Sequence, residues 1–258
     1  MAVATITSVV NTPSAEILTT TEAASTYVPY TAATTNVDLG ANTLAAAKAL
    51  TTEIKTDTSA ATDLTITTGS QKTISLATVV WDDLRIVPSA FDLPGSAYPS
   101  VGDYQTGGSG TTFKVYQFAK GDMAFFTCQI PHGYKQGEDI KVHVHWTPRD
   151  RGTEESGNAV AWKIDYSWAN IDAAFGASAT VDLTDTCTGT DHLHEITSDA
   201  TVTGTSKNIS SMLICKIYRA DVGGDTWSGT TAAQLPVLLE VDFHVPIDTI
   251  GSRQNSAK

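Results

Sequence analysis

His143 and His145 are the residues whose type and spacing come nearest to chemistry. They lie in the run Lys141-Val142-His143-Val144-His145-Trp146, where polar and apolar side chains alternate. In a strand, that period of two puts both imidazoles on one face. Residues 235–245 alternate as well, with Glu240, Asp242 and His244 outward and Val237, Leu239, Val241, Phe243 and Val245 inward. If these two strands are neighbours, three histidines and a carboxylate converge as metal ligands do in cupin-type jelly rolls. A cupin site sits inside its barrel, whereas these histidines lie opposite the apolar face. The expectation is therefore outward-facing, structural or subunit-facing histidines. No catalytic, cofactor-binding or metal-ligating residue is assigned, and no cofactor.

Other chemistries find less support. His132, between Pro131 and Gly133-Tyr134, reads as a turn histidine. Acyl transfer needs a nucleophile, a base and an orienting carboxylate. There is no GxSxG, and Cys128 lies mid-strand with no helix N-terminus to activate it. Asp82 and Asp83 are adjacent, so in a strand they point to opposite sides. Glu154 and Glu155 fall in a loop and read as surface residues. Nucleotide-binding glycine motifs are absent. Among the tryptophans, Trp146, Trp162 and Trp168 fall on apolar strand faces and belong to a core. Trp227, in a glycine-rich loop at 221–229, is the one placed for ligand contact. The chain is read as a non-enzyme.

Composition narrows the partners. The 258 residues carry a net charge of −12, and the 16 lysines and arginines are scattered. Nucleic acid, which needs clustered basic residues, is not an expected partner. The charged fraction of 17% is low, and Thr, Ser, Ala and Gly fill the gap. Cys128, Cys187 and Cys215 are odd in number and form no CxxC, so free thiols in a reducing cytosol are expected. No signal peptide is legible, and no apolar run approaches the roughly 18–20 residues needed to span a membrane.

Two regions must position these residues. Residues 1–76 are rich in Thr and Ala, with no Trp, Cys, His or Phe. Such a segment cannot bury enough apolar surface to fold alone, and it reads as an arm ordered only against a neighbour or a larger assembly. Within it, 44–50 is expected to form about two helical turns, and 63–69 a short strand. Residues 77–258 read as a β-sandwich domain. Strands are expected at 73–80, 113–118, 123–130, 140–146, 160–168, 212–218 and 235–245, with a weaker one at 192–196. A hairpin joins 113–118 to 123–130. Residues 160–168 alternate most clearly, and 212–218 is apolar on both faces and so central. The implied fold class is all-β, a jelly-roll-like two-sheet β-sandwich preceded by an extended, mostly irregular N-terminal arm.

The segment Tyr27-Val28-Pro29-Tyr30-Thr31-Ala32-Ala33-Thr34-Thr35-Asn36-Val37-Asp38-Leu39-Gly40 resembles a YVPYTGAT…DLG motif of tailed-bacteriophage fibre proteins, with Ala33 near a position that often carries Gly. From Trp81-Asp82-Asp83-Leu84-Arg85 onward the chain resembles a β-sandwich module of phage virion proteins. The stretch from His132-Gly133-Tyr134 to Trp146 carries that resemblance, with Ser210-Ser211-Met212-Leu213 and Glu240-Val241-Asp242-Phe243-His244. The resemblance implies a homotrimer on the virion and transfers no catalytic residue. The leading expectation is a capsid decoration (cement) protein on the head exterior, assembled in the bacterial host cytoplasm, whose partners are itself and the major capsid protein. The alternative is a tail fibre or tailspike protein that contacts a host surface glycan through 221–229. A cupin-like metal-binding enzyme is the remote third reading.

Overall fold

The computed structural model describes residues 75–106, 110–220, 224–252 and 254. The arm expected at 1–76, with its helical turns at 44–50 and its strand at 63–69, lies outside the described residues except for Ser75 and Leu76, which open the first strand. The strands are β1 (Ser75–Ile86), β2 (Ser100–Gln105), β3 (Thr112–Gln117), β4 (Met123–Gln129), β5 (Ile140–Thr147) and β6 (Ala159–Ala169). There follow β7 (Ala179–Thr186), β8 (Glu195–Ile196), β9 (Ala200–Val202), β10 (Met212–Arg219) and β11 (Val237–Thr249). Every pairing between them is antiparallel.

Two sheets face each other, as the alternating strands imply. In the first, β11 and β5 are central. The pair β2–β3 and the strand β1 flank β11, and β8 and β9 share the far edge of β5. The second runs β4-β10-β6-β7. The pairs β1–β11, β4–β10, β5–β9 and β6–β7 are those of one long hairpin rolled up, which is the jelly-roll arrangement; β2–β3 is an inserted ribbon. The central place expected for 212–218 holds, since β10 lies between β4 and β6.

Alternation explains the core. Val142, Val144 and Trp146 of β5, and Val160, Trp162 and Ile164 of β6, are fully buried between the sheets. Each large apolar side chain so buried stabilises the fold by about 1.5–3 kcal/mol. Phe118 meets Trp162 edge-on at 5.1 Å, and Phe126 meets Phe243 at 6.2 Å. Burial pushes the Cys128 thiol up to about 12, and Cys187 and Cys215 are likewise free and buried. Inert core thiols are the expected result.

Several expectations are corrected. The segments 113–118 and 123–130 do not form a hairpin. β3 pairs with β2 and β11 in one sheet, while β4 pairs with β10 in the other. The turn between them carries the chain across the sandwich. There Gly121 takes φ +85° and the Asp122 carboxylate accepts the Ala119 N–H at 2.7 Å. Leu239 is not in the core. A β-bulge between Leu238 and Glu240 shifts the alternation, so Leu238 points inward and Leu239 is only half-buried. The strand expected at 192–196 shrinks to Glu195–Ile196, and β2, β7 and β9 add strands where none was expected.

Candidate functional site

Two strands in register build the site on the outer face of the first sheet. β5 and β11 pair so that His143 lies opposite Asp242, His145 opposite Glu240, and Lys141 opposite His244. On the other side of β11, β1 sets Asp83 opposite His244 and Arg85 opposite Asp242. Beyond β5, the break between β8 and β9 carries Asp199, and His194 directly precedes β8. The neighbourhood that the sequence left conditional is therefore present. Four of the six histidines gather here, including His194, which periodicity alone did not single out.

The rings form a chain of contacts. His143 Nδ1 lies 3.1 Å from Asp199 Oδ1, and His143 Nε2 lies 2.9 Å from His145 Nε2. His145 Nδ1 in turn lies 2.7 Å from His194 Nε2. Asp242 Oδ2 faces three of the imidazoles, 3.3 Å from His244, 3.7 Å from His143 and 3.8 Å from His145. Burial, and then the neighbouring His143 and His194, hold the His145 ring below its ordinary pKa and favour the neutral form. Arg85 grips Glu240 through two nitrogens at 2.7 Å each. A cleft of about 480 Å³ opens beside the cluster, lined in part by Asp83, Arg85, His145 and Asp242.

The outward parity of both histidines is observed, but free solvation is not: His143 is only 4% exposed. The set lies on the outer face of a sheet, so the geometry is not that of a cupin interior. His132 is a turn residue, as expected, and its ring is held between Ser252 Oγ at 2.7 Å and Ser210 Oγ at 2.9 Å. Asp83 faces His244 across the strand pair, whereas Asp82 turns to the other side.

Two loop expectations fail for one reason. Trp227 is not available to a ligand. It is 3% exposed, meets Trp146 edge-on at 5.8 Å and donates its indole N–H to Gln234 at 2.9 Å. Glu155 is not a surface acid either, being fully buried. It accepts hydrogen bonds from Arg151, Asn158, the Ser228 hydroxyl, and the backbone N–H groups of Ser228 and Gly229. Within the described part of 221–229, Asp225 and Trp227 thus turn their side chains inward and buttress the fold, while Gly224, Thr226 and Ser228 stay exposed. Among the described residues, Trp81, 53% exposed on β1, is the only tryptophan at the surface.

No protein-family model matches the chain, and no curated protein matches it. Among solved structures, it is similar to the CBM22-2 xylan-binding domain of Paenibacillus barcinonensis Xyn10C. That likeness has 8% identity over 64% of this chain and 99% of that one, with a TM-score of 0.34. A Paenibacillus sp. cycloisomaltooligosaccharide glucanotransferase is similar at 14% identity over 61% of this chain, with a TM-score of 0.33; the chain spans only 17% of that enzyme. A chain from the structure of the lipid-containing bacteriophage PM2 is similar at 10% identity over 72% of this chain and 76% of that one, with a TM-score of 0.27. At these identities and TM-scores no role or activity is carried over from them to this chain.

Proposed function

We propose that the chain is a structural protein of a phage particle. In this reading it is a homotrimeric decoration subunit that binds the major capsid protein through its N-terminal residues and projects the jelly roll outward. The observation that carries the reading is the outer face of the second sheet. There Phe125, Met212 and Ile214 stay exposed on β4 and β10, with Lys216, Asp165 and Thr127 around them. β10 is apolar on both faces, yet among the described residues only the face bearing Leu213, Cys215 and Ile217 is covered. A second copy of the chain is the occupant that accounts for the rest, since apolar patches rimmed by polar groups are a signature of subunit contacts. The motif resemblance at 27–40 supports the same reading.

Sedimentation of the full chain tests it. Wild-type protein is expected to sediment as a trimer at micromolar concentration. Ile214→Asp places a charge on the exposed face and should give a folded monomer with stability changed by less than about 1 kcal/mol. A wild-type monomer, or an Ile214→Asp trimer, would contradict the assignment. A fibre or tailspike role in glycan contact is the second reading. Exposed Trp81 is the one feature that favours it, now that Trp227 is internal.

A further inference from the structure

Asp242 poses an electrostatic problem that the described residues do not solve. Its side chain is 6% exposed on a central strand, and its Oδ1 has no hydrogen-bond partner among the described residues. Its Oδ2 faces imidazole nitrogens at or beyond the usual hydrogen-bond length of about 2.7–3.2 Å. Arg85, its partner by register, is committed to Glu240. A buried carboxylate without a close donor or cation is destabilising. The two histidines beside it do not answer it. His143 Nε2 and His145 Nε2 lie 2.9 Å apart, so a proton on either one serves the other ring and leaves the carboxylate unanswered. A cation answers all three groups at once.

We propose that His143 Nε2, His145 Nε2 and Asp242 Oδ2 bind a divalent first-row transition-metal ion on the outer face of the first sheet, with His244 or water completing its coordination. The spacing fits. The three atoms are separated by 2.9, 3.7 and 3.8 Å. A point equidistant from them lies roughly 2.0 Å from each, which is the bond length of zinc to imidazole nitrogen and carboxylate oxygen. The supporting shell is also in place, because Asp199 and His194 hold the remote nitrogens of the two ligand rings and so fix their orientation. Two imidazoles and one carboxylate suit Zn²⁺ and its neighbours, whereas Mg²⁺ and Ca²⁺ prefer all-oxygen sets. The adjoining cleft gives an ion a route in. Such an ion would tie β5 to β11 and, through Asp199 and His194, to the edge at β8 and β9. The site does not depend on the virion reading.

The test uses the full chain, untagged and stripped with chelator, titrated with Zn²⁺ by calorimetry and followed by thermal unfolding. One saturable Zn²⁺ per chain and a rise in Tm are expected, with no response to Mg²⁺. His145→Gln, at a partly exposed position, should weaken Zn²⁺ binding at least about 100-fold, more than a supporting residue would. Asp242→Asn removes the unanswered charge. Its metal-free form should be at least as stable as the wild type, and its Tm should no longer respond to Zn²⁺. Absence of saturable Zn²⁺ binding overturns the proposal. So does undiminished binding in both variants, which would place the ion elsewhere, or a metal-free Asp242→Asn protein that is markedly destabilised, which would mean that protonated imidazoles already neutralise the carboxylate.

Discussion

Asp225→Ala is expected to destabilise the fold by about 3–5 kcal/mol, because it strands a buried charge. Arg219 is 1% exposed at the end of β10, and its guanidinium meets Asp225 through two nitrogens at 2.8 and 2.9 Å. Its third nitrogen donates to the Phe118 carbonyl at 3.0 Å. Asp225 also accepts the N–H groups of Ala161 and Trp227. One carboxylate thus ties together the strand end, the edge of β6 and the loop that seats Trp227. Removing it leaves Arg219 charged and unpaired in the interior, a state far costlier than an exposed arginine. Urea unfolding at pH 7 reads the loss directly. A change below about 1 kcal/mol, the range of a surface ion pair, would show that solvent reaches the pair.

Glu155 should make the same region sensitive to acid. Burial raises its pKa, but the Ser228 N–H, Arg151, the Ser228 hydroxyl and Asn158 together outweigh burial and bring it to about 2. The folded pKa is therefore lower than the unfolded value. The stabilisation is complete above about pH 4.5 and is lost as pH falls toward 2, and its size is about 3 kcal/mol. Glu155→Gln is expected to be less stable than wild type by about that amount at pH 7, with the gap closing below pH 4.5. Urea midpoints of both proteins from pH 7 to pH 2.5 decide the matter; a gap that stays constant across that range would mean the carboxylate is not held ionised by these donors.

The strands were legible where one face was apolar and the other polar. Residues 140–146 and 160–168 fall into place with the expected faces, because a period of two fixes which side chains meet the core. The bulge at Leu239 was not legible, since Leu238 and Leu239 are equally apolar and alternation cannot say which of them turns inward. The hairpin expected between 113–118 and 123–130 failed because a short connection favours local pairing. The actual partner of β4 is β10, more than eighty residues later, and only the closed sandwich selects it. β7 was missed because it is an edge strand whose inward residues are few, chiefly Val181 and Leu183. The histidine cluster was half legible. Spacing gave the shared face of His143 and His145, but the pairing of β5 with β11 is a long-range fact. Glu155 and Trp227 defied the sequence for a related reason, since the partners that bury them come from distant loops and leave no local pattern.

The proposed role is that of a subunit on the exterior of a phage particle. Electron microscopy of phage particles labelled with an antibody against residues 77–258 tests it most directly. Label spread in many copies over the outside of the head is expected. Label confined to the tail would move the chain to the fibre reading, and particles carrying no label at all would contradict a structural role in the virion.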